Sequence, residues 1–478
     1  VTGVQTCALP IYPHDIRIRA VSWYALPVRT RVPLKFGRDT LTEVVCARVR
    51  LTVARADGRR GEGWGETPLS VQWVWPSPLP YEVRLRALEE FCDLLTEAYA
   101  QFPASGHAME IGHDFLEAVL PRVLATFNDS LPAGVRIPKL AALVCASAFD
   151  LALHDAYGVA NEVPTYLTYE RPWMNHDLSA YLTPAEDAPA VSFTGLYPAD
   201  FFRRPAVNEL LAWHLVGGLD FLTVAEAGAG RLTDGHPTSL DEWIERDGLK
   251  ALKVKLRGDD ATWDFERLRA VAAIGLPRGV ELFTADFNCI VTDPAYVTGV
   301  LDRVQAELPE LWSRLSYVEQ PFPYELTDHP IDVRAVSARC PLFLDESAHD
   351  WRIVRLGRSL GWNGVALKTC KTQTGALLSL CWARAHGMQL MVQDLTNPML
   401  AQLTHLLLAA HAPTIAGVET NGMQFYPAAS APEAAVHPEA YRRRAGRVGF
   451  PALQGPGFGY AGAEHARDLP PPRAAAPR

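Results

Sequence analysis

Hydrophobic and polar positions alternate along the first part of the chain. Between residues 16 and 53, two stretches show the two-residue period of half-buried strands, and Asp57-Gly58 is a strong hairpin signal that leads into a third strand. Two later stretches, 81–99 and 138–157, carry apolar residues at helical spacing. Strands followed by helices predict a small α+β domain. The predicted strands are residues 17–24, 44–53 and 61–69.

A second pattern begins near residue 219, where short β-rich runs alternate with helical segments. Such alternation over roughly 250 residues is typical of a barrel of parallel strands and helices. The predicted fold class is therefore α/β: a (β/α)7β TIM-like barrel with an N-terminal α+β capping domain that C-terminal residues complete. The eight candidate strands are residues 221–225, 249–255, 280–286, 315–319, 342–345, 364–368, 389–394 and 414–419.

These patterns predict the following division of the chain. Residues 1–11 lack an initiator Met and a basic region, and we interpret them as an artefact of sequence assembly. The capping domain then covers 12–165, the barrel covers 209–425, and a return to the capping domain covers 426–467. Residues 166–208 form an insertion of unknown role. The Pro- and Ala-rich residues 468–478 read as a disordered tail.

Composition narrows the possible partners. The 478 residues are 48% hydrophobic and 21% charged, as in ordinary globular proteins, and the formal charge of −9 argues against nucleic-acid binding. We read no apolar run as approaching the roughly 20 residues of a membrane helix, so no membrane partner is expected. The 8 cysteines are scattered and form no metal or disulfide pattern, which favours a reducing cytoplasm.

Ionisable residues stand at the ends of seven successive candidate strands. Because the carboxyl ends of barrel strands meet at one mouth, where the active sites of such enzymes lie, we expect these side chains to converge. They occur about one strand–helix unit apart in the sequence. The series is Lys255, Asp286, Glu319, Asp345, Lys368, Asp394 and Glu419.

Three neighbouring acids of this series, Asp286, Glu319 and Asp345, predict a metal site. Three carboxylates cannot all stay ionised in a closed pocket without a cation. Oxygen ligands alone suit Mg²⁺ better than zinc, and we expect one ion per site. The alternative is that each acid caps a helix or holds a loop, as Asp345 could before Glu346-Ser347.

Lys253 and Lys255 lie two residues apart on one strand, so their side chains share a face. Lysines of this kind often protect an edge strand from aggregation. The acids downstream favour a second interpretation, in which Lys255 and Lys368 flank a metal-bound substrate from opposite sides. A lysine near other cations has a lowered pKa and can act as a general base near neutral pH, and Lys253 and the metal would be those cations for Lys255.

Five motifs in order resemble the enolase superfamily, muconate-lactonizing-enzyme subgroup. They are Lys253-Val-Lys255, Asp286-Phe-Asn288, Val318-Glu-Gln-Pro321, Asp345-Glu-Ser347 and Ala366-Leu-Lys368. The resemblance implies that Asp286, Glu319 and Asp345 bind Mg²⁺ and that Lys255 and Lys368 are the acid/base pair. It further implies that Lys253 supports Lys255, and that Asn288 and Gln320 hold the metal ligands in place without binding the metal themselves. The implied reaction removes the proton α to a carboxylate and passes through an enediolate that Mg²⁺ stabilises.

The chain departs from this family pattern on the last two strands. The dipeptide epimerases of the family carry Asp-x-Asp where this chain has Glu419-Thr-Asn421, which weakens the case for a substrate ammonium group there. Asp394 and Asn397 occupy the seventh-strand motif. The capping loops 33–37 and 69–80 are expected to set specificity. Candidate substrate contacts are Phe36, Trp73, Asp394, Asn397, Glu419 and Asn421, with interdomain packing as the alternative for each aromatic residue.

The expected function is a Mg²⁺-dependent racemase or epimerase. Its substrate would be a small carboxylate such as an N-acyl amino acid or a dipeptide, and the protein is expected to be a homo-oligomer. Two other reactions of the family remain open: cycloisomerisation of the muconate type and syn dehydration of the o-succinylbenzoate synthase type. A barrel that binds carboxylates without catalysis is the alternative from another class, although a binding protein has no need for two opposed bases.

Overall fold

The computed structural model describes residues 12–36, 39–451, 453–460, 462 and 467–478. The interpretation of residues 1–11 lies outside this part of the chain. The first domain is an antiparallel sheet covered by helices, as predicted. Its elements are β1 (Ile16–Phe36), β2 (Asp39–Arg55) and β3 (Arg60–Pro68), then α1 (Val71–Val74), α2 (Tyr81–Gln101), α3 (Ala108–Asp114), α4 (Leu120–Ser130) and α5 (Lys139–Asn161).

Strand β3 and helix α5 pack closely because both present small residues. Glycines alternate along β3 and lie against alanines spaced four apart in α5. A Cβ added at Gly63 would lie 2.1 Å from the backbone nitrogen of Ala156, so only glycine permits this approach. Helix α5 is long and apolar enough to span a membrane by length and composition, contrary to our expectation that no segment would be. The apolar stretch of 18 residues within this helix is wholly buried, so packing inside the fold accounts for its apolar composition.

The second domain is a curled sheet of eight parallel strands, which confirms the predicted barrel. Neighbouring strands follow the order β10-β9-β8-β7-β6-β5-β4-β11. A hydrogen bond of 2.9 Å from Ile415 N to Leu390 O bridges the remaining gap between the first and the last strand of this order. The strands are β4 (Glu209–Val216), β5 (Ala251–Lys255), β6 (Leu282–Asp286), β7 (Leu315–Glu319), β8 (Leu342–Leu344), β9 (Gly364–Leu367), β10 (Gln389–Val392) and β11 (Val418–Glu419).

Helices connect the strands and cover the outside of the barrel. A 3-10 turn, Thr369–Lys371, separates β9 from the helix that follows it. The helices are α6 (Val224–Ala227), α7 (Leu240–Asp247), α8 (Ala261–Gly275), α9 (Pro294–Glu307), α10 (Pro309–Trp312), α11 (Arg334–Ser337), α12 (Trp351–Leu360), α13 (Gln373–Ala385), α14 (Met399–His411), α15 (Gly422–Phe425) and α16 (Ala431–Val436).

Two predictions of secondary structure were wrong, one in the barrel and one in the capping domain. The first barrel strand is Glu209–Val216, whereas the predicted strand 221–225 is a loop that enters α6. Pairing with β5 on one side and with β11 on the other holds residues 209–216 in the extended state. Residues 33–36 of the predicted loop 33–37 are instead the end of β1, because Leu34, Lys35 and Phe36 pair with β2, and residue 37 lies outside the described residues.

The C-terminal residues divide between the two domains. Strand β12 (Arg447–Gly449) pairs with β4 of the barrel, and Phe458 N donates to Asp155 Oδ1 of α5 at 2.7 Å. Strand β13 (Ala474–Pro477) pairs antiparallel with β1, so the prediction of a disordered tail was wrong for these residues. Backbone pairing to the long strand β1 orders this Ala- and Pro-rich segment.

The insertion 166–208 packs against the outer face of the barrel. Trp382 Nε1 of α13 donates to Thr183 O at 2.9 Å, and Arg203 N donates to His411 O of α14 at 2.7 Å. Buried aromatic residues, among them Tyr169 and Phe193, join it to the barrel core. Ala185 N donates to His386 Nε2 at 3.0 Å, which agrees with a structural role for this histidine.

Candidate active site

The register of neighbouring strands brings the predicted acids together. Lys255 pairs with Asp286 across β5 and β6, and Asp286 pairs with Glu319 across β6 and β7. Asp345 follows the next strand, one residue beyond its end. All four side chains are buried. The mouth of the barrel therefore presents three carboxylates side by side, as predicted.

Lys253 lies at the centre of this group. Its Nζ is 2.5 Å from Glu319 Oε1 and 3.1 Å from both Asp286 Oδ2 and Glu419 Oε2. Burial alone would lower the pKa of Lys253, but these carboxylates outweigh burial and hold the pKa well above its usual value. Lys253 therefore stays protonated and neutralises part of the acidic cluster, so it is not an edge-strand lysine.

Lys255 is held by residues of the next strand and its loop. Its Nζ lies 2.5 Å from Asp286 Oδ2 and donates to Asn288 Oδ1 at 2.9 Å. Asn288 is itself fixed, because its Nδ2 donates to Leu256 O at 2.8 Å and its N donates to Asp286 Oδ1 at 2.9 Å. Burial would raise the pKa of Asp286, yet the ammonium groups of Lys255 and Lys253 hold that pKa below its usual value.

Lys368 lies on the opposite side of the mouth. Strands β5 and β9 are four places apart in the order of eight, so Lys255 and Lys368 face each other across the acids. Lys368 Nζ donates to Asp394 O at 2.7 Å, is 3.2 Å from Asp345 Oδ2, and lies 5.3 Å from the centre of the Trp73 ring. Burial would lower the pKa of Lys368, but Asp345 outweighs burial and raises it, in contrast to the lowered pKa expected for a lysine base.

The residues predicted on the last two strands bind one another. Asp394 accepts hydrogen bonds from Asn397 N at 2.6 Å and Asn421 N at 2.5 Å. Burial, together with the charge of Glu419, raises the pKa of Asp394 to about 7. Asn421 Nδ2 donates to Glu419 Oε1 at 2.9 Å, and its Oδ1 accepts from Leu215 N at 2.9 Å. These four residues are therefore part of one hydrogen-bonded network at the ends of β10 and β11, which Asn397 joins through its backbone N.

The two predicted aromatic contacts have different outcomes. Trp73 belongs to α1, and its Nε1 donates to Glu346 Oε1 at 2.9 Å, which places its ring over the Lys368 side of the mouth. The side chain of Phe36 lies outside the described residues. Gln320 supports the neighbouring turn, because its Oε1 accepts from Asp345 N at 2.8 Å and its Nε2 donates to Ser347 Oγ at 2.7 Å.

Two charged residues at the mouth were not predicted. Lys371, at the end of the 3-10 turn after β9, donates to Asp345 O and lies 5.7 Å from the centre of the Trp73 ring. Burial lowers the pKa of Lys371. Burial and the charge of Asp345 raise the pKa of Glu346. The signal in the sequence was their adjacency: Lys371 is three residues beyond Lys368, and Glu346 follows Asp345.

The acids suit a hard cation by their chemistry. Burial, together with the charges of Asp286 and Asp345, raises the pKa of Glu319, which is the crowding that a bound cation relieves. Asp345 Oδ1 is buried and accepts no hydrogen bond from the described residues. No group of three or more His, Cys, Asp or Glu side chains is arranged as a metal cluster within that part of the chain, since lysine ammonium groups lie between the acids. An oxygen-only donor set of this kind fits Mg²⁺.

Two cavities reach this mouth between the domains. One of about 690 Å³ is lined by Trp73 of the capping domain and by Tyr324, Cys289 and Glu346 of the barrel. The other, of about 460 Å³, is lined by Lys255 and by Lys35, Arg257 and Trp263. Asn288 and Ile290 line both cavities. A substrate of small-molecule size therefore has room on both sides of the segment 288–290.

Comparison with protein families identifies the barrel. Residues 238–466 match the family model described as enolase C-terminal domain-like. This segment, which contains all five motifs, is therefore similar to the C-terminal domain of enolase. The resemblance inferred from the five motifs is thereby confirmed.

Solved structures share the fold over the length of both domains. A mandelate racemase/muconate lactonizing protein from Herpetosiphon aurantiacus is 18% identical with a TM-score of 0.57, covering 94% of this chain and 98% of its own. A dipeptide epimerase from Enterococcus faecalis, complexed with Mg and the dipeptide L-Leu-L-Tyr, is 15% identical with a TM-score of 0.58, covering 93% and 99%. An N-succinyl Arg/Lys racemase from Bacillus cereus is 16% identical with a TM-score of 0.57, covering 96% and 99%.

The curated proteins offer no such relative, because none of them matches the sequence. At identities of 15 to 18%, the likeness to the solved structures shows the fold alone. The activity of this protein must therefore be argued from its own residues.

Proposed function

We propose that the protein is a racemase or epimerase that exchanges the proton α to a carboxylate. The observation that carries the proposal is the placement of Lys255 and Lys368 on opposed strands, with Asp286, Glu319 and Asp345 between them. Two ammonium-bearing side chains on opposite sides of one carbon can serve both of its faces. One lysine removes the proton as its neutral amine, and the other returns a proton from its ammonium form to the opposite face.

The three carboxylates would hold Mg²⁺ in this proposal, in keeping with the Mg complex of the Enterococcus faecalis dipeptide epimerase. The bound ion would stabilise the negative charge that develops on the substrate carboxylate as the α-proton leaves. Lys253 supplies a fixed positive charge beside the same acids, at 2.5 Å from Glu319. Burial of all these groups excludes water and strengthens their electrostatic effect on the substrate.

The substrate in this proposal is an N-acyl amino acid or a related carboxylate without a free α-ammonium group. An ammonium group needs an acid that can accept its hydrogen bonds. Both oxygens of Glu419 are engaged, by Asn421 Nδ2 and by Lys253 Nζ, and both oxygens of Asp394 accept backbone N–H groups. The N-succinyl Arg/Lys racemase is a structural neighbour whose named substrate is of this N-acyl class.

Incubation in D₂O with Mg²⁺ and a panel of N-acyl amino acids and dipeptides tests the proposal. Mass spectrometry should show deuterium uptake at the α-carbon, and chiral chromatography should show loss of optical purity. N-acyl compounds should react in preference to the matching dipeptides. Exchange that needs Lys255 but not Lys368, without loss of optical purity, would instead favour a one-base elimination or cycloisomerisation. Exchange that survives both lysine substitutions would refute the site.

A further inference from the structure

Helix α5 of the capping domain contacts the turn that carries Lys368 and Lys371. Three polar side chains of α5, at positions 147, 150 and 154, lie on one face of the helix, because they are three and four residues apart. All three are wholly buried. Their partners lie in residues 369–374, which follow strand β9 and include the first two residues of helix α13.

Ser147 and Asp150 bind the two ends of this turn. Ser147 Oγ donates to Thr369 O at 2.8 Å, directly after Lys368. Asp150 Oδ2 accepts from Thr374 N at 2.8 Å, and its Oδ1 accepts from Thr374 Oγ1 at 2.9 Å. Thr374 N belongs to the first turn of α13, where backbone N–H groups lack partners within the helix. Asp150 therefore places a carboxylate at the positive end of that helix.

His154 completes the network from the next turn of α5. Because Thr374 Oγ1 donates its hydrogen to Asp150, it must accept from His154 Nε2, which lies 2.9 Å away. His154 Nδ1 then accepts from Tyr169 OH at 2.8 Å. Burial lowers the pKa of His154 to about 3, so the ring is neutral and one tautomer satisfies both contacts.

Apolar packing joins the same two regions. Cys370, in the middle of the turn, belongs to the hydrophobic core of the capping domain and not to that of the barrel. The main-chain conformation of the turn also needs external support, because Thr372 has a φ of +73°. A Cβ added at Gly112 of α3 would lie 2.4 Å from Thr374 Oγ1 and 2.5 Å from Asp150 Oδ1, so only glycine permits α3 to approach the network this closely.

We propose that Asp150, with Ser147, is a positioning residue for Lys368: it fixes the turn 369–374 from the capping domain and so orients the lysine that serves one face of the substrate. Lys255 lies across the mouth from this turn, and Asp286 and Asn288, which bind it, are barrel residues. The inference rests on the proposed function, and it predicts that damage to Asp150 impairs one substrate face only.

Asp150→Asn tests this inference, with Asp155→Asn as the matched control. Asp155 is a buried carboxylate on the same helix, but it binds Trp64 N at 2.8 Å and Phe458 N at 2.7 Å instead of the turn. The first measurement needs no substrate: hydrogen–deuterium exchange of residues 369–375 should increase in Asp150→Asn and remain at the wild-type level in Asp155→Asn. If Asp150→Asn does not fold, Ser147→Ala removes the single bond to Thr369 O and should give the same result at smaller amplitude.

The second measurement is α-proton exchange of the two enantiomers separately. Lys255→Ala and Lys368→Ala assign each enantiomer to its lysine. In Asp150→Asn, exchange of the enantiomer assigned to Lys368 should fall about tenfold or more, within the range of general acid–base effects, while the other stays within about twofold. Unchanged amide exchange at 369–375, or an equal fall for both enantiomers, would overturn the inference. Absence of α-proton exchange in the wild type would refute the proposed function alone, and the amide measurement would still decide whether Asp150 fixes the turn.

Discussion

The two sides of the barrel mouth are built differently. On one side, Lys255 is bound by Asp286 and Asn288, and both come from β6 and the loop that follows it. On the other side, Lys368 is covered by Trp73 of the capping domain and precedes a turn that Ser147 and Asp150 hold. Barrel residues bind the first lysine, whereas both domains contact the second lysine or the turn beside it. In the proposed function, the capping domain therefore positions the lysine on the Lys368 side.

Removal of divalent metal gives the largest expected effect, and it should not distinguish the two sides. The acids that would hold Mg²⁺ lie between the two lysines. Removal of the ion should therefore slow proton exchange on both faces of the substrate. Chelation with EDTA should reduce α-proton exchange of both enantiomers by about a thousandfold or more, and added Mg²⁺ should restore it. Full activity after chelation would contradict the assignment of Asp286, Glu319 and Asp345.

Replacement of each lysine should separate the sides. Lys255→Ala and Lys368→Ala should each slow proton exchange of one enantiomer by about 10²- to 10⁴-fold, since each removes one acid/base group. Interconversion of the enantiomers should be lost in both variants, because it requires both groups. Lys250→Ala is the control, since that lysine lies outside the mouth and contacts Gly279 O. If one variant slowed both enantiomers equally, the assignment of one lysine to each face would be wrong.

Acidification should lower the free energy of unfolding through His154, which belongs to the network on the Lys368 side. Burial lowers the pKa of His154 to about 3, compared with 6.5 for an unperturbed histidine. The folded protein thus binds fewer protons than the unfolded chain between these pH values, and stability falls as pH decreases below about 6.5. His154 should contribute about 2 kcal/mol to the loss of unfolding free energy between pH 7 and pH 5.

Urea unfolding at the two pH values measures this contribution. His154→Gln should lose about 2 kcal/mol less than the wild type on acidification, although it is less stable at pH 7. His113→Gln, which replaces a partly exposed histidine of α3, is the control for the substitution itself. An identical pH dependence in the wild type and in His154→Gln would show that another group causes the acid sensitivity.

Trp73→Phe should have the smallest effect, again on one side. The substitution keeps an aromatic ring near Lys368 and removes the hydrogen bond of 2.9 Å from Nε1 to Glu346. A loss at the lower end of the range for a hydrogen bond to a charged group, about 1.5 kcal/mol, would slow exchange of the enantiomer assigned to Lys368 by about tenfold. Trp263→Phe tests the matching position on the Lys255 side, because Trp263 lines the cavity beside that lysine. If Trp73→Phe slowed proton exchange of both enantiomers equally, the proposed difference between the two sides of the mouth would be wrong.

The sequence predicted the strand ends well because barrel geometry is repetitive. Lys255, Asp286 and Glu319 each end a short strand, and strand pairing in register then places them side by side. The first barrel strand was missed because the run Glu209–Val216 is rich in Leu and Ala, so its local pattern suits a helix as well as a strand. Its pairing with β5 and β11 decides the outcome, and such pairing is not visible in a local pattern.

The residues missed at the site depend on turns and on contacts between domains. Lys371 reaches Asp345 only because residues 369–371 form a 3-10 turn. Asp150 is more than 200 positions from Thr374 in the chain, and nothing in the spacing of these two residues announces their contact. Likewise, Glu419 and Asn421 were considered as substrate contacts, whereas their side chains bind each other and the neighbouring strands. Roles for the predicted metal ligands and lysines stay predictions until the experiments above are done.

The insertion of Cys370 into the core of the capping domain bears on how new activities could arise in this fold. Replacement of the whole capping domain by that of another protein with this fold would alter the substrate cavity. It would also remove Ser147 and Asp150, the partners of the turn 369–374. The smallest transferable unit is therefore discontinuous: helix α5 together with residues 369–374. Recombination that respects this unit should preserve turnover while it changes specificity, whereas recombination at the domain boundary should produce folded chains with one inactive face.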